Sequence, residues 1–163
     1  MEIRKACLAD MPEIGSCHYH CWQETYRGLI DDDFLDRMSE AVNRDRFAAY
    51  VDRVEMMYVV IEGEAIVGFF DVSPAREDFA PYEIQGLYLR KAFQGRGYGR
   101  KMMEKVFDLC QGKPFYLWCL ATNPTTGYYT HFNGQMIAQK ESPIGSHMYQ
   151  EVCYLFPGKE AKV

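Results

Sequence analysis

Gln94-Gly95-Arg96-Gly97-Tyr98-Gly99 lies past the middle of a 163-residue chain, between an apolar strand, Ile84 to Leu89, and an amphipathic helix that starts near Tyr98. Three glycines at alternate positions let the backbone turn tightly and approach a ligand closely. The helix that follows aims its unpaired N–H groups and positive dipole end at that ligand, an arrangement that holds phosphate. Arg96, Arg100 and Lys101 put side-chain cations beside it. A plain strand-to-helix turn needs one glycine, not three in register.

Two familiar phosphate loops do not fit. No Gly-x-x-x-x-Gly-Lys-Ser/Thr string exists in the chain. A dinucleotide fingerprint needs Gly-x-Gly-x-x-Gly and an acidic residue about 20 positions later. Here the spacing is Gly-x-Gly-x-Gly, and that distance falls on Leu117-Trp118-Cys119.

The length predicts one domain over residues 1–163, large enough to bury a sizeable core. With 48% apolar residues the chain is not disordered by composition. No apolar run reaches the roughly 18 residues of a membrane span, and Met1-Glu2-Ile3-Arg4-Lys5 lacks the apolar core of a signal peptide. A cytoplasmic location with no membrane partner is the expectation. The six cysteines, with no Cys-x-x-Cys pair, read as small buried hydrophobes in a reducing compartment. Cys17-His18-Tyr19-His20-Cys21 reads as core thiols with surface histidines on one helix, not as a metal site. The net charge of −5 argues against a nucleic-acid partner.

Glu2 to Ala6 reads as a first strand. Asp10 is the expected N-cap of a first helix, with Glu13 completing a capping box and Gly28 ending it. Leu29 to Arg37 reads as a connector, and Ser39 to Arg53 as a second helix burying Val42, Phe47 and Tyr50. Met57 to Ile61, Glu62-Gly63-Glu64 and Ala65 to Val72 form a hairpin. A polar loop, Ser73 to Pro81, leads to a fourth strand, Glu83 to Leu89. The helix from Tyr98 to Cys110 turns Met102, Met103, Val106, Phe107 and Cys110 inward. Phe115 to Leu120 is a strand, Asn123 to Phe132 a short helix, and Gln135 to Glu141 and Met148 to Leu155 are closing strands. Pro157 to Val163 is expected to fray.

The Gln/Arg-x-x-Gly-x-Gly/Ala pattern, with the strand before it and the helix after, resembles the acetyl-CoA pyrophosphate loop of the GNAT N-acetyltransferase superfamily. The element order, β-α-α-β-β-β-α-β-α-β-β, extends that resemblance over nearly the whole chain. It implies an α/β fold with a mixed, mostly antiparallel central sheet flanked by helices on both faces. It also implies acetyl-CoA as cofactor without a metal, and transfer of acetyl to a primary amine of a small molecule or peptide by direct attack in a ternary complex. The acidic balance is compatible with a cationic acceptor, and a homodimer is left open.

Residue by residue, the resemblance places Gln94, Gly95, Arg96, Gly97, Tyr98, Gly99 and Arg100 around the pyrophosphate. It places the backbone of Leu87-Tyr88-Leu89 along the pantetheine arm and Asn123 near it. Glu83, eleven residues before Gln94, matches the position of the glutamate base in histone-type members. Partial desolvation on an apolar strand is expected to raise its pKa. Glu24 is the second choice. Asn123-Pro124-Thr125-Thr126-Gly127-Tyr128-Tyr129 resembles the family's Asn-x-x-Ala-x-x-Phe-Tyr stretch, which makes Tyr129 the candidate general acid. One count of that stretch lands on Thr130, and Tyr128-Tyr129 standing for Phe-Tyr favours Tyr129. Tyr26 and Arg27 correspond to the acceptor-loop region and are the candidate substrate contacts. Cys119, inside an apolar strand, is a poor nucleophile. The rival readings are a silent acyl-CoA-binding module and a transferase for a longer acyl-CoA.

Overall fold

The computed structural model describes residues 1–158. Along the chain the elements are β1 (Glu2–Lys5), α1 (Met11–Tyr26), α2 (Asp32–Arg37), α3 (Glu40–Ala48), β2 (Met57–Glu62), β3 (Ala65–Asp71), β4 (Ser73–Pro74), β5 (Tyr82–Ile84), β6 (Leu87–Leu89), α4 (Tyr98–Leu109), β7 (Phe115–Leu120), α5 (Thr126–His131), β8 (Gln135–Ile144) and β9 (His147–Phe156). They group into two compact units, Met1–Asp71 with Gly86–Met102, and Val72–Gln85 with Met103–Val163. The expected mixed α/β order is observed, with sheets flanked by helices.

The first unit holds an antiparallel sheet in the order β1-β2-β3-β6. Its hairpin turns at Gly63, whose φ of 61° suits glycine. α1 and α3 pack on the face carrying Val59, Phe69 and Tyr88, around a core that includes Met11, Ile14, Cys17, Cys21 and Phe47. Gly15 makes the helix contact close, because a Cβ there would stand 2.5 Å from the Asn43 carbonyl oxygen.

Several expectations change here. Asp10 does not cap α1 with its side chain. Its carboxylate accepts from the Cys7 N–H (2.8 Å) and the Arg4 guanidinium (2.7 and 2.9 Å), so the cap sits one turn earlier, on a short 3-10 turn. The expected connector contains α2, capped by Asp31, whose side chain accepts from the Asp33 N–H. The second helix stops at Ala48 and continues as a 3-10 turn over Val51–Met56. Val42 is exposed, because Asn43 and Phe47 at i, i+4 spacing take the inward face. Cys7 is exposed while the other five cysteines are buried.

The expected fourth strand is broken. β5 pairs with β7 in the second unit, and β6 pairs with β3 in the first. The buried Asp71 fixes the start of the second half. Its carboxylate accepts from the Gly86 N–H at 2.7 Å, and its own N–H donates to the Gly86 carbonyl at 3.2 Å.

The second unit holds a five-stranded sheet in the order β4-β5-β7-β9-β8, with β5–β7 parallel and the other pairs antiparallel. Cross-strand partners share a face. Phe115, Leu117, Tyr154 and Phe156 therefore stand on one face, and Glu83, Tyr116 and Leu155 on the other. Phe107 of α4 and Tyr129 of α5 both pack on the Phe156 face. Met102, Met103, Val106 and Cys110 are buried as expected, with Phe107 half-buried. Of the end expected to fray, Pro157 and Gly158 are described; residues 159–163 lie outside the described residues.

Candidate active site

The loop between β6 and α4 closes by a side-chain bond. Gln94 Nε2 donates to the Leu89 carbonyl at 3.0 Å, tying the start of the glycine run to the end of β6. Gly95 and Gly97 have φ of 73° and 82°, the left-handed region that side chains resist. Nothing lies within 4 Å of a Cβ built on either. The glycines therefore serve backbone shape and ligand approach, not internal packing. The Arg96 guanidinium sits over the Phe93 ring, 5.5 Å from its centroid, and the Tyr98 hydroxyl donates to Glu62 at 2.8 Å. Arg100 and Lys101, both exposed on the first turn of α4, make no ion pair among the described residues. A glycine turn with open space around it at a helix N-terminus, flanked by the Arg100 and Lys101 cations, fits a pyrophosphate.

β6 is the last strand of its sheet, so one row of its backbone groups has no partner in the ladder. Leu87, Tyr88 and Leu89 are thus placed to pair with an extended ligand through main chain. The phenol of Tyr88 accepts from Trp22 Nε1 at 3.3 Å. Glu24, the second candidate base, is taken up by Arg90 Nε and the Lys91 N–H, both at 2.8 Å.

In the second unit Glu83 is 2% exposed. Arg76 grips its carboxylate with two nitrogens, Nε at 2.9 Å and the terminal nitrogen on the other oxygen. The Tyr116 hydroxyl donates to the same carboxylate at 3.2 Å. Burial alone would raise the Glu83 pKa, but the Arg76 contacts outweigh it and hold the carboxyl below its ordinary value. The expected upward shift is therefore reversed. Arg76 and Tyr116 were not legible as its partners. The signal was faint: Arg76 returns to Glu83 across a seven-residue loop, and Tyr116 lies opposite it only once β5 and β7 pair.

Tyr129 is buried on α5 against Tyr154 and Phe156, with ring centroids 5.6 and 6.2 Å away. Its carbonyl accepts from the Gly134 N–H at 3.0 Å, and a Cβ on Gly134 would stand 2.8 Å from that oxygen. Thr130 is exposed and donates its hydroxyl to the Gly127 carbonyl of its own turn. Asn123 is buried and accepts through Oδ1 from the Thr125 N–H and hydroxyl (3.0 and 2.8 Å), which leaves its NH2 group uncommitted. Glu83 and Tyr129 are not brought together. They stand over opposite faces of one sheet. Burial pushes the Cys119 thiol up to about 12, which leaves it inert near neutral pH.

Tyr26 packs edge-on against Trp22 at 4.8 Å, and Arg27 is committed to Asp36 at 2.7 Å and to Gln23. Neither lines the cleft that α1, α2 and α3 enclose in the first unit. That cleft, of about 340 Å³, is walled by His18, Trp22, Phe34, Arg37, Asn43 and Arg46. His18 is not a surface histidine. Its ring packs against Trp22, Phe47 and Tyr88, and Asn43 Nδ2 donates to its Nδ1 at 2.9 Å. Burial, helped by the nearby Arg46 charge, lowers its pKa to about 3, so it is neutral. The signal for this face was the i, i+4 pair His18–Trp22, hidden by the stronger Cys17–Cys21 pattern. Among the described residues no three His, Cys, Asp or Glu side chains come together as a metal site, and no helix is long and apolar enough to cross a membrane.

The model of the acetyltransferase (GNAT) family matches residues 16–134. An uncharacterized N-acetyltransferase, YuaI of Bacillus subtilis strain 168, is 23% identical over 165 residues, covering 98% of this chain and 94% of its own. An uncharacterized N-acetyltransferase of Archaeoglobus fulgidus is 31% identical over 132 residues, covering 76% and 84%. The crystal structure of yncA from Salmonella typhimurium, a putative acetyltransferase with its cofactor acetyl-CoA, shares 20% of residues and superposes with a TM-score of 0.70 over 99% of this chain and 96% of that one. With the family model covering most of its length and the glycine loop, broken strand and element order in place, this chain belongs to the GNAT acetyltransferase family.

Proposed function

We propose that the chain is an acetyl-CoA-dependent N-acetyltransferase that acetylates a primary amine of a small molecule or peptide by direct attack in a ternary complex. The observation that carries this reading is the open, positive-φ glycine loop feeding the N-terminus of α4. In it the amides of Gly95, Gly97 and Gly99, with Gln94, Arg96, Tyr98 and Arg100 around them, hold the pyrophosphate. The unpaired edge of β6 at Leu87, Tyr88 and Leu89 takes the pantetheine arm, and the Asn123 NH2 serves the same arm. Acetyl-CoA supplies an activated thioester carbonyl and a thiolate leaving group.

Glu83 enters as a carboxylate, already ionised at neutral pH, and takes the amine proton. Because Arg76 lowers its basicity, that transfer becomes downhill only as the C–N bond forms and the nitrogen turns acidic. Tyr129 is the proton donor for the leaving thiolate; since the sheet parts it from Glu83 while both bond changes occur at one carbonyl carbon, Glu83 takes the amine proton through intervening water. The buried setting of Tyr129 and the commitment of Thr130 to its own turn support that choice over Thr130. The two units act as one domain over residues 1–163, a reading supported by a family match that runs through both. Buried, unpaired Cys17 and Cys21 support a reducing compartment, the cytoplasm.

The test is release of free thiol from acetyl-CoA across polyamines, aminoglycosides, amino acids and peptide N-termini. Glu83→Gln and Tyr129→Phe are each expected to lower kcat on the order of 10²-fold with acetyl-CoA binding unchanged. Acetyl-CoA binding without release on any amine would make the chain a silent acyl-CoA module. Release only from longer acyl-CoAs would move the donor class. No binding would overturn the loop assignment.

A further inference from the structure

Arg37 and Arg46 face one cleft, and neither makes an ion pair or hydrogen bond among the described residues. Of the ten arginines in the chain, Arg37, Arg46, Arg96 and Arg100 meet no carboxylate among the described residues, and two of those four stand in this cleft. Arg27, Arg44, Arg53, Arg76 and Arg90 all meet carboxylates. No Asp or Glu lines the cleft. Its histidine is neutral, so its charge is that of the two guanidinium groups. Such forks match carboxylates in geometry as well as charge.

Trp22, Phe34, Met38 and Val42 make much of the rest of the lining apolar, beside the polar His18, Ser39 and Asn43. Trp22 and Phe34 contact each other, with ring centroids 6.2 Å apart, and His18 is locked by Asn43. Asn43 is itself tied to the Gly15 carbonyl at 3.2 Å. A volume of about 340 Å³ lies at the small end of ligand pockets, which run from about 300 to 1,000 Å³. The cleft is also joined to the candidate active site within its own unit, since Trp22 donates to the Tyr88 hydroxyl and His18 packs on the Tyr88 ring of β6.

We infer that this cleft binds a small organic carboxylate with an apolar body, Arg37 and Arg46 taking the carboxylate and Trp22, Phe34 and His18 the apolar part. Resting on the acetyltransferase reading, the bound molecule is the amine acceptor, a free amino acid with an aromatic or branched side chain. The acidic net charge of the chain is compatible with a cationic acceptor. The local charge of the cleft points the other way, and at contact distance it is the local field that acts.

Trp22 is the reporter. In a Trp118→Phe background its fluorescence is titrated with L-leucine, L-phenylalanine and their amides, which keep the amine and lose the carboxylate. The acids are expected to bind at least about tenfold tighter than the amides, as for the loss of one charged hydrogen-bonded contact. Arg37→Gln and Arg46→Gln are each expected to erase that preference while acetyl-CoA binding stays intact as the fold control. Equal binding of acid and amide, no Trp22 response, or a preference that survives both substitutions overturns the inference. Thiol release is scored separately. Acid binding without release leaves the cleft assignment standing and sinks acetyl transfer, whereas turnover of amines indifferent to both arginines sinks the cleft and leaves acetyl transfer standing.

Discussion

Burial and a salt bridge pull the Glu83 carboxyl in opposite directions, and the bridge wins. Removing the Arg76 guanidinium leaves burial opposed only by the Tyr116 hydroxyl and the backbone N–H of residue 76, which moves the balance towards the neutral acid. Arg76→Gln is therefore expected to move the acid limb of the pH profile of kcat/KM to higher pH, with activity retained at alkaline pH. Activity lost equally at every pH would instead mark Arg76 as structural. Glu83 and Tyr129 could be singled out as candidates because each sits at a fixed offset from a recognisable stretch. Arg76 could not, since a loop closure is a non-local event that spacing does not encode. His18 was misplaced for a related reason: the side of a helix that is buried depends on its partner, and α3 covers a wider arc of α1 than the cysteine pattern indicated.

Elements with strong local signals were legible: the hairpin, the glycine loop, and α4 with its sharply divided faces. Where backbone hydrogen bonds compete with pattern, the reading failed. The run from Glu83 to Leu89 looks like one strand, but Asp71 claims both backbone groups of Gly86 and divides it between two sheets. At the helix pair, Gly15→Ala would drive a methyl to 2.5 Å from backbone atoms of α3. A destabilisation of roughly 2–3 kcal/mol is expected for such overpacking, read as a fall in Tm of about 5–10 °C. The loop glycines behave differently. Gly97→Ala meets open space and pays only for its φ of 82°, roughly 1–2 kcal/mol. It should weaken acetyl-CoA binding about tenfold, the equivalent of about 1.4 kcal/mol, with Tm falling about half as far as for Gly15→Ala. The opposite order would mean that the loop is packed and not a ligand cradle.

At the scale of the molecule, the Arg4–Asp10 pair is one contributor to acid stability, beside Arg76–Glu83. Chiefly the Arg4 hydrogen bonds lower the Asp10 pKa to about 2, from an ordinary 3.8. A depressed carboxyl contributes stability that is fully present above the unfolded value and is lost as pH falls towards the folded one. Arg4→Gln should therefore cost on the order of 1 kcal/mol near neutral pH, allowing for screening at the part-exposed guanidinium. The cost should vanish between about pH 4 and pH 2, and chemical denaturation at both ends of that window measures it. The order of most elements was legible at this scale because each is set locally, but α2, the short β4 and the break between β5 and β6 were not. Nor was the division into two units, because it turns on the pairing of β5 and β6 with different sheets. The five-stranded sheet of the second unit has one more consequence. With Glu83 over one face and Tyr129 over the other, the sheet is a septum between the proposed proton acceptor and the proposed proton donor. The bond that forms and the bond that breaks share one carbon, so that carbon comes within hydrogen-bond reach of only one of the two, and the other must act through a water relay. Such a relay is expected to give a multi-proton solvent isotope effect on kcat that Glu83→Gln removes; a single-proton effect unchanged by that substitution would take Glu83 out of the proton path.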